Sequence, residues 1–180
     1  MTVSPSISPS RSNTLFERAG KYLTFELGNE VYGLPVLRVR EVIGKQAAAK
    51  IPHAPEYVKG VINLRGKVIP IIDLRMKFGL EQVEQTDRTC IIVVQLNVRK
   101  SAILAGAVVD RVSEVVTIAA ADIDDTPDFG DGTNLPYVLG IAKTKDGVRI
   151  LVDPDVLFEV AQLMQMQAAT QSQGDREGDE

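Results

Sequence analysis

The sequence predicts an all-β fold of two small β-barrel lobes packed together, with short helices and a C-terminal helix. Short runs of branched aliphatic residues recur at close spacing, and glycine and proline turns separate them, which is typical of all-β proteins. Closing such strands into barrels removes exposed edges that would otherwise pair with other chains. The chain also repeats part of its own sequence, and this repetition predicts two related lobes.

The first match of the repeat starts in GVINLRGKVIPIIDLRMKFG, residues 60–79, around which the rest of the chain is organised. When Gly60 is set against Gly140, the aliphatic residues of the following strands align, and Asp73 falls on Asp153. A match that extends through both strands and the turn between them predicts two copies of one hairpin unit.

A second match sets GLPVLRVREV, from Gly33, against GAVVDRVSEV, from Gly106. Both matches run in the same order along the chain, so we predict a duplication with copies over roughly 21–80 and 88–155. A lobe of about 60 residues is close to the lower limit of independent stability, so the two lobes should pack on each other.

The first copy begins with a predicted hairpin. Residues 1–18 are rich in serine and proline and are predicted to be a disordered tail. Residues 21–27 alternate between apolar and polar side chains, which is the period of a half-buried strand. Gly28 and Asn29 suit a tight turn, and residues 30–34 return as the second strand.

A short helix is predicted after this hairpin. Pro35 is suited to a first helical position, and Gly44 is suited to the end of the helix. Val36, Val39 and Ile43 would then share one face. The β-branched content of the segment leaves a strand open as the alternative.

The central hairpin carries Arg65 at its tip, between two runs of branched aliphatic residues. Pro70 cannot donate a backbone hydrogen bond, which places its strand at a sheet edge or beside a bulge. Residues 74–78 predict a helical turn that Gly79 ends, and the polar residues 81–88 predict the connection between the halves.

The second copy repeats this order. Five extended segments are predicted in it: 89–96, 101–110, 111–118, 137–143 and 148–152. Residues 122–134 predict an acidic loop, and residues 154–166 show helical spacing. The end of this helix and a disordered tail are predicted over 162–180.

Composition excludes several classes of function. The net charge of −4 argues against nucleic acid as the main partner, because phosphate binding needs a concentrated basic face. No apolar run is long enough for membrane insertion and no signal-peptide pattern is present, so a cytoplasmic protein is expected. The single cysteine, Cys90, and the single histidine, His53, have no partners in sequence for a disulfide or a metal site.

The strongest candidates for chemistry are the carboxylates of the acidic loop, which suit a calcium ion or an acid and base pair. They are Asp122, Asp124, Asp125, Asp128 and Asp131. Their spacing departs from the calcium-loop pattern, so a solvated loop is the favoured interpretation. Phe129 is an aromatic residue in polar surroundings, and it is either packed on its own lobe or offered to a partner.

The segment of residues 60–79 also carries a family resemblance. Together with FELGNEVYGLPVLRVREVI and AGAVVDRVSEVVTI it closely resembles the CheW family of bacterial chemotaxis coupling proteins, over roughly residues 20–160. The motif NLRG followed by P-x-x-DLR is specific to this resemblance. It implies a domain over 19–161 of two SH3-like five-stranded barrels, without catalysis or cofactor. It also implies a scaffold that links the cytoplasmic tips of chemoreceptors to the histidine kinase CheA in membrane-associated arrays.

The resemblance assigns contact residues on two faces. The positions implied to contact the regulatory domain of the kinase are Val39, Glu41, Val42 and Phe129. The positions implied in receptor binding are Asn63, Arg65, Gly106 and Val115. Asp124 departs from the family pattern, in which a basic residue can stand beside the aromatic, and the turn of residues 97–101 is longer than the family's compact version.

Three alternatives accompany this interpretation. A detached regulatory domain of a CheA-like kinase shares the fold, although no ATP-binding or dimerisation segment is present in the sequence. An adaptor of a chemotaxis-like system other than swimming has the same sequence features. A remote alternative is a metal-dependent hydrolase that uses the acidic loop.

Overall fold

The structure is a computed structural model that describes residues 18–98, 101–125 and 136–159. These residues form eleven β-strands in two sheets. The strands are β1 (Gly20–Leu27), β2 (Glu30–Pro35), β3 (Val39–Gly44), β4 (Val58–Leu64), β5 (Lys67–Asp73), β6 (Cys90–Val98), β7 (Ser101–Val109), β8 (Arg111–Ile118), β9 (Ile123–Asp124), β10 (Val138–Thr144) and β11 (Gly147–Val152). Sheet A has the order β8-β1-β2-β11-β10-β9, and sheet B has the order β3-β6-β7-β5-β4. The all-β prediction is confirmed.

Two short helices follow equivalent strands of the duplication. Helix α1 spans Leu74–Lys77 after β5, and helix α2 spans Pro154–Leu157 after β11. Asp73 caps α1 by accepting the backbone N–H of Arg75 at 2.9 Å, and Asp153 caps α2 by accepting that of Asp155 at 2.9 Å. The predicted helical turn that ends at Gly79 is confirmed. The rest of the predicted C-terminal helix lies outside the described residues.

The helix predicted from Pro35 to Gly44 is wrong for most of its length. A 3₁₀ turn covers Val36–Arg38, and β3 then runs antiparallel to β6. Burial alternates along β3, which is the period of a strand with one covered face. Pairing with β6 therefore favours the extended state that the β-branched residues already prefer.

The duplication is present in the strand register. Val58 pairs with Ile72 in the first hairpin, and Val138 pairs with Val152 in the second. Each hairpin has an irregularity directly after this pair, so Gly60 and Gly140 keep equivalent places. A hairpin and its helix are therefore one unit used in both copies.

The two copies exchange strands. β5 pairs in parallel with β7, where Ile71 lies opposite Gly106, and β11 pairs in parallel with β2, where Leu151 lies opposite Gly33. Sheet A therefore combines β1 and β2 with strands of the second copy, and sheet B combines β3 to β5 with β6 and β7. Each sheet therefore contains strands of both copies, so the two halves of the sequence do not each form a separate lobe.

A shared core joins the sheets. The largest buried cluster contains Phe25 and Leu34 from sheet A and Ile72 and Ile92 from sheet B, each at most 1% exposed. An aromatic column also lies here: Phe25, Tyr32, Phe78 and Tyr137 stack with ring centroids 5.7, 5.1 and 5.1 Å apart. Burial of this apolar surface between the sheets holds the lobes together. No helix of the described chain is both long enough and apolar enough to cross a membrane.

Candidate protein-interaction surface

The turn between β4 and β5 holds Arg65 in an unusual backbone conformation. Arg65 has φ +52° and Gly66 has φ +86°, the positive values required at both central positions of a type I′ hairpin turn. The side-chain oxygen of Asn63 accepts the backbone N–H of Gly66 at 2.8 Å. A left-handed arginine costs about 1–2 kcal/mol. The fixed turn offsets this cost and points the guanidinium away from the sheet, where it is 75% exposed.

Arg65 and Glu41 form a bidentate ion pair. Nη1 donates to Oε1 at 2.8 Å and Nη2 donates to Oε2 at 2.9 Å. The two residues belong to different predicted sets, since Arg65 was assigned to receptor binding and Glu41 to kinase binding. The structure brings these predicted faces together along β3 and the β4–β5 turn.

Strand β3 is an edge of sheet B and carries the other predicted kinase contacts. Val42 is 44% exposed, whereas Val39 is half-buried and packs against the shared core. Val42 is thus available to a partner, and Val39 supports the edge from beneath. The neighbouring arginines are engaged within the chain: Arg38 bonds Asp155 and Arg40 bonds the side chain of Gln95.

Val115 lies on β8, which is an edge of sheet A, and it is 51% exposed. The match of Gly33 with Gly106 places Val115 opposite Val42 in the repeat. The predicted receptor residue and the predicted kinase residue are therefore equivalent positions of the duplication, on two different sheets.

Gly106 does not form part of a surface. It is buried in β7, and a Cβ atom there would lie 2.5 Å from Cδ1 of Ile71 and 2.7 Å from Cγ2 of Ile91. Because β5 and β6 cover this residue, its predicted part in receptor binding can only be an indirect one. Its role is close packing between strands of the two copies.

The described part of the acidic loop forms ion pairs within the chain. Asp124 contacts Lys143 at 3.1 Å and Asp125 contacts Arg18 at 2.9 Å. Phe129, Asp128 and Asp131 lie outside the described residues. Over the ranges that the structure describes, no three His, Cys, Asp or Glu side chains gather as a metal site would require.

Sequence reasoning missed Leu37. Its side chain is 93% exposed in the 3₁₀ turn, beside a cavity of about 630 Å³ that Tyr22, Val36 and Leu139 help to line. The only signal in the sequence was that Leu37 is a large apolar residue outside the face predicted for its apolar neighbours.

The comparison with family models shows which family the chain belongs to. The CheW-like domain model matches residues 21–162, which include all eleven strands except the first residue of β1. The chain belongs to the CheW family. The resemblance seen in the NLRG and P-x-x-DLR motifs is thereby confirmed.

Similar proteins agree with this assignment. A chemotaxis protein CheW from Klebsiella aerogenes is 38% identical over 138 residues, which cover 77% of this chain and 81% of the relative. One from Rhizobium meliloti is 36% identical over 136 residues, 76% of this chain and 85% of the relative. The crystal structure of the scaffolding protein TtCheW from Thermoanaerobacter tengcongensis has a TM-score of 0.69 at 38% identity, covering 78% of this chain and 93% of that one.

CheW-family membership confirms the predicted two-lobed fold and the prediction of a non-catalytic chemotaxis scaffold. The contact residues assigned to kinase and receptor remain predictions. Those among the described residues include an exposed ion pair on sheet B and equivalent exposed valines on the edges of both sheets.

Proposed function

We propose that this CheW-family chain couples chemoreceptors, the methyl-accepting chemotaxis proteins, to the histidine kinase CheA in the cytoplasm. In this proposal it binds the regulatory domain of CheA and the cytoplasmic tip of the receptors, and it is recruited to receptor arrays at the membrane. Two observations support the proposal: the relatives are named chemotaxis proteins, and the structural neighbour is named a scaffolding protein.

The observation that carries the proposal is the Arg65–Glu41 pair. A surface arginine that only improves solubility needs neither a positive φ in a turn that Asn63 closes nor a bidentate ion pair with a glutamate. A rigid guanidinium at an exposed hairpin tip loses less side-chain entropy on binding than a free one, which favours an anchor in an interface.

The kinase face in this proposal is the β3 edge. Val42 supplies exposed apolar surface beside Glu41, and an edge strand with mixed apolar and charged residues suits another small β-barrel. Val39 acts from beneath by fixing the strand against the core. Phe129 is proposed as the second kinase contact.

The receptor face comprises Asn63, Arg65 and Val115. Arg65 presents hydrogen-bond donors that Glu41 leaves available, since a guanidinium carries five N–H donors. Val115 contributes from the edge of sheet A, so the receptor would contact both sheets. Gly106 assists only by allowing close packing of the side chains of Ile71 and Ile91 from the two neighbouring strands.

Such an adaptor works without a reaction of its own. It holds two partners in one geometry, so a small receptor change can shift the kinase between inactive and active populations. Its contribution is binding energy that a few anchor residues supply.

Binding of purified CheA regulatory domain and of a soluble receptor-tip fragment, each by calorimetry, tests the proposal. We expect the wild-type chain to bind both. We expect Arg65→Glu to weaken receptor binding, while Arg88→Glu, the same charge change at an exposed arginine of the 81–88 connection, binds as wild type does. A wild-type chain that binds neither the CheA regulatory domain nor the receptor-tip fragment would contradict the proposal.

A further inference from the structure

The described chain passes from one sheet to the other at two places. The first lies between β2 and β3, through the 3₁₀ turn that contains Arg38, and the second lies between β7 and β8, at Asp110. At each crossing, an ion pair joins a residue of the connection to a residue of one of the short helices. Neither pair belongs to the interaction surface described above.

The pair at the second crossing joins Asp110 to Arg75 of α1. Nε of Arg75 donates to Oδ1 of Asp110 at 2.7 Å, and Nη2 donates to Oδ2 at 2.5 Å. The same carboxylate accepts the backbone N–H of Gly28, in the β1–β2 turn, at 2.8 Å. Helix α1 follows a strand of sheet B and Gly28 lies in the turn between two strands of sheet A, so this one carboxylate ties the two sheets.

The pair at the first crossing has the opposite polarity. Here the helix supplies the acid: Asp155 of α2, which follows a strand of sheet A, accepts from Nη2 of Arg38. Asp155 also accepts the backbone N–H of Asn97 at 3.1 Å, and Nε of Arg38 donates to the carbonyl oxygen of Gln95 at 2.9 Å. Asn97 and Gln95 belong to β6 of sheet B, so this carboxylate also joins the sheets.

The duplication relates these two arrangements. The match of Gly60 with Gly140 places Arg75 opposite Asp155, and the match of Gly33 with Gly106 places Leu37 opposite Asp110. Each crossing therefore holds an arginine and a carboxylate that also accepts a backbone N–H, and in both pairs the arginine belongs to the first copy and the carboxylate to the second. The helix positions are equivalent in the two pairs, but the crossing residues Arg38 and Asp110 are one position apart in the repeat. An ion pair that forms at both crossings from non-equivalent residues indicates that the contact itself has a use.

We propose that Arg75–Asp110 and Arg38–Asp155 are two inter-sheet ties that set the orientation of sheet A relative to sheet B. The arginine side chains are only 14% and 21% exposed, so water screens these pairs less than the Arg65 pair. Val42 and Val115 lie on different sheets, so the ties also fix the spacing between the two partner faces. This functional consequence rests on the proposed function.

Pulsed electron–electron double resonance, which measures the distance between two spin labels, tests the ties on the isolated protein. Spin labels are attached at Val68→Cys in sheet B and Val148→Cys in sheet A, both exposed positions, with Cys90→Ala to remove the native thiol. We expect one narrow distance distribution for the wild-type background and a broader or shifted one for Arg75→Gln and for Arg38→Gln. Arg88→Gln, the matched control, should leave the distribution unchanged.

A designed exchange of the acidic and basic positions distinguishes a specific inter-sheet contact from a general effect on stability. Arg75→Asp together with Asp110→Leu copies the residue types of the first crossing at the second, where Arg111 stands at the position equivalent to Arg38 and has to leave Glu26, which it contacts at 3.4 Å. We expect this double variant to restore the narrow distribution that Arg75→Gln loses. A variant that remains folded by circular dichroism and keeps the wild-type distribution after loss of either tie would overturn the proposal.

The same labels give a second readout that needs no substitution in the ties. We expect the wild-type distribution to stay narrow in about 1 M salt, because partly buried pairs are screened much less than exposed ones, and a distribution that broadens in salt would count against the ties. These results are independent of the proposed function, which fails instead if the wild-type chain binds neither CheA nor receptor.

Discussion

Arg65, at the tip of the β4–β5 turn, and Glu41, on the edge strand β3, meet through two hydrogen bonds of 2.8 and 2.9 Å. The contact joins segments that are far apart in sequence into one exposed face. It also means that a change at either residue alters the surroundings of the other.

Arg65→Glu should weaken association with the receptor-tip fragment by about 1 to 3 kcal/mol, because anchor residues of this kind carry most of an interface's energy. The free energy of unfolding should change by no more than about 1 kcal/mol, since exposed ion pairs contribute little to stability. Calorimetry and urea unfolding measure the two quantities. Arg65→Glu with Glu41→Arg tests whether the pair or the individual charges matter. Recovery of binding in the double variant would mean that the pair is the recognised feature.

Gly106→Ala should destabilise the fold by about 1 to 3 kcal/mol, the usual cost of overpacking a core. The added Cβ would lie 2.5 Å from Cδ1 of Ile71, which must move. Gly33→Ala is the matched control, because its Cβ would lie 3.0 Å from Cδ2 of Leu151 at the equivalent place. We expect a smaller loss there in urea unfolding, and an equal or larger loss would contradict the packing role assigned to Gly106.

Acid should weaken the tie at Asp110. Burial alone would raise the pKa of Asp110, but hydrogen bonds from Arg75 and from the Gly28 N–H outweigh it, and the pKa lies below its usual value. A group with a lowered folded-state pKa contributes stability above its unfolded pKa, and this stability is lost as the pH falls through the folded-state pKa. Urea unfolding from pH 7 down to about 2 should therefore show a loss below about pH 4, the usual range of an aspartate.

Asp110→Asn should remove that part of the acid dependence, whereas Asp87→Asn, at an exposed position in the 81–88 connection, should retain it. An unchanged pH profile in the Asp110 variant would show that other carboxylates dominate acid unfolding.

Val42→Lys and Val115→Lys should separate the two partners. Both side chains are about half exposed, so each substitution should change the free energy of unfolding by about 0.5 kcal/mol or less. We expect the change at Val42 to reduce binding of the CheA regulatory domain, and the change at Val115 to reduce binding of the receptor tip, in parallel calorimetric titrations. If both variants lose the same partner, the assignment of the faces is wrong.

Local features of the fold were predictable from the sequence because each has a local cause. The hairpin turns follow from glycine and neighbouring polar residues, and the α1 turn follows from its capping Asp73 and the final Gly79. The duplication was visible because equivalent strands keep the same register, which fixes which residues face inward.

Non-local features could not be predicted in this way. The exchange of strands rests on parallel pairs between β5 and β7 and between β11 and β2, and hydrophobic pattern does not specify a parallel partner. β3 had helical spacing and became a strand because β6 lies beside it. The burial of Gly106 and the pairing of Arg65 with Glu41 both depend on these arrangements.

Receptor-dependent autophosphorylation of CheA in a reconstituted mixture of kinase, receptor-bearing vesicles and this chain tests the central claim most directly. We expect kinase activity to rise only when the wild-type chain is present, to fall with Arg65→Glu, and to be retained with Arg88→Glu. Kinase activity that does not depend on the chain, or that is the same with Arg65→Glu as with wild type, would contradict the proposal that this surface couples receptor to kinase.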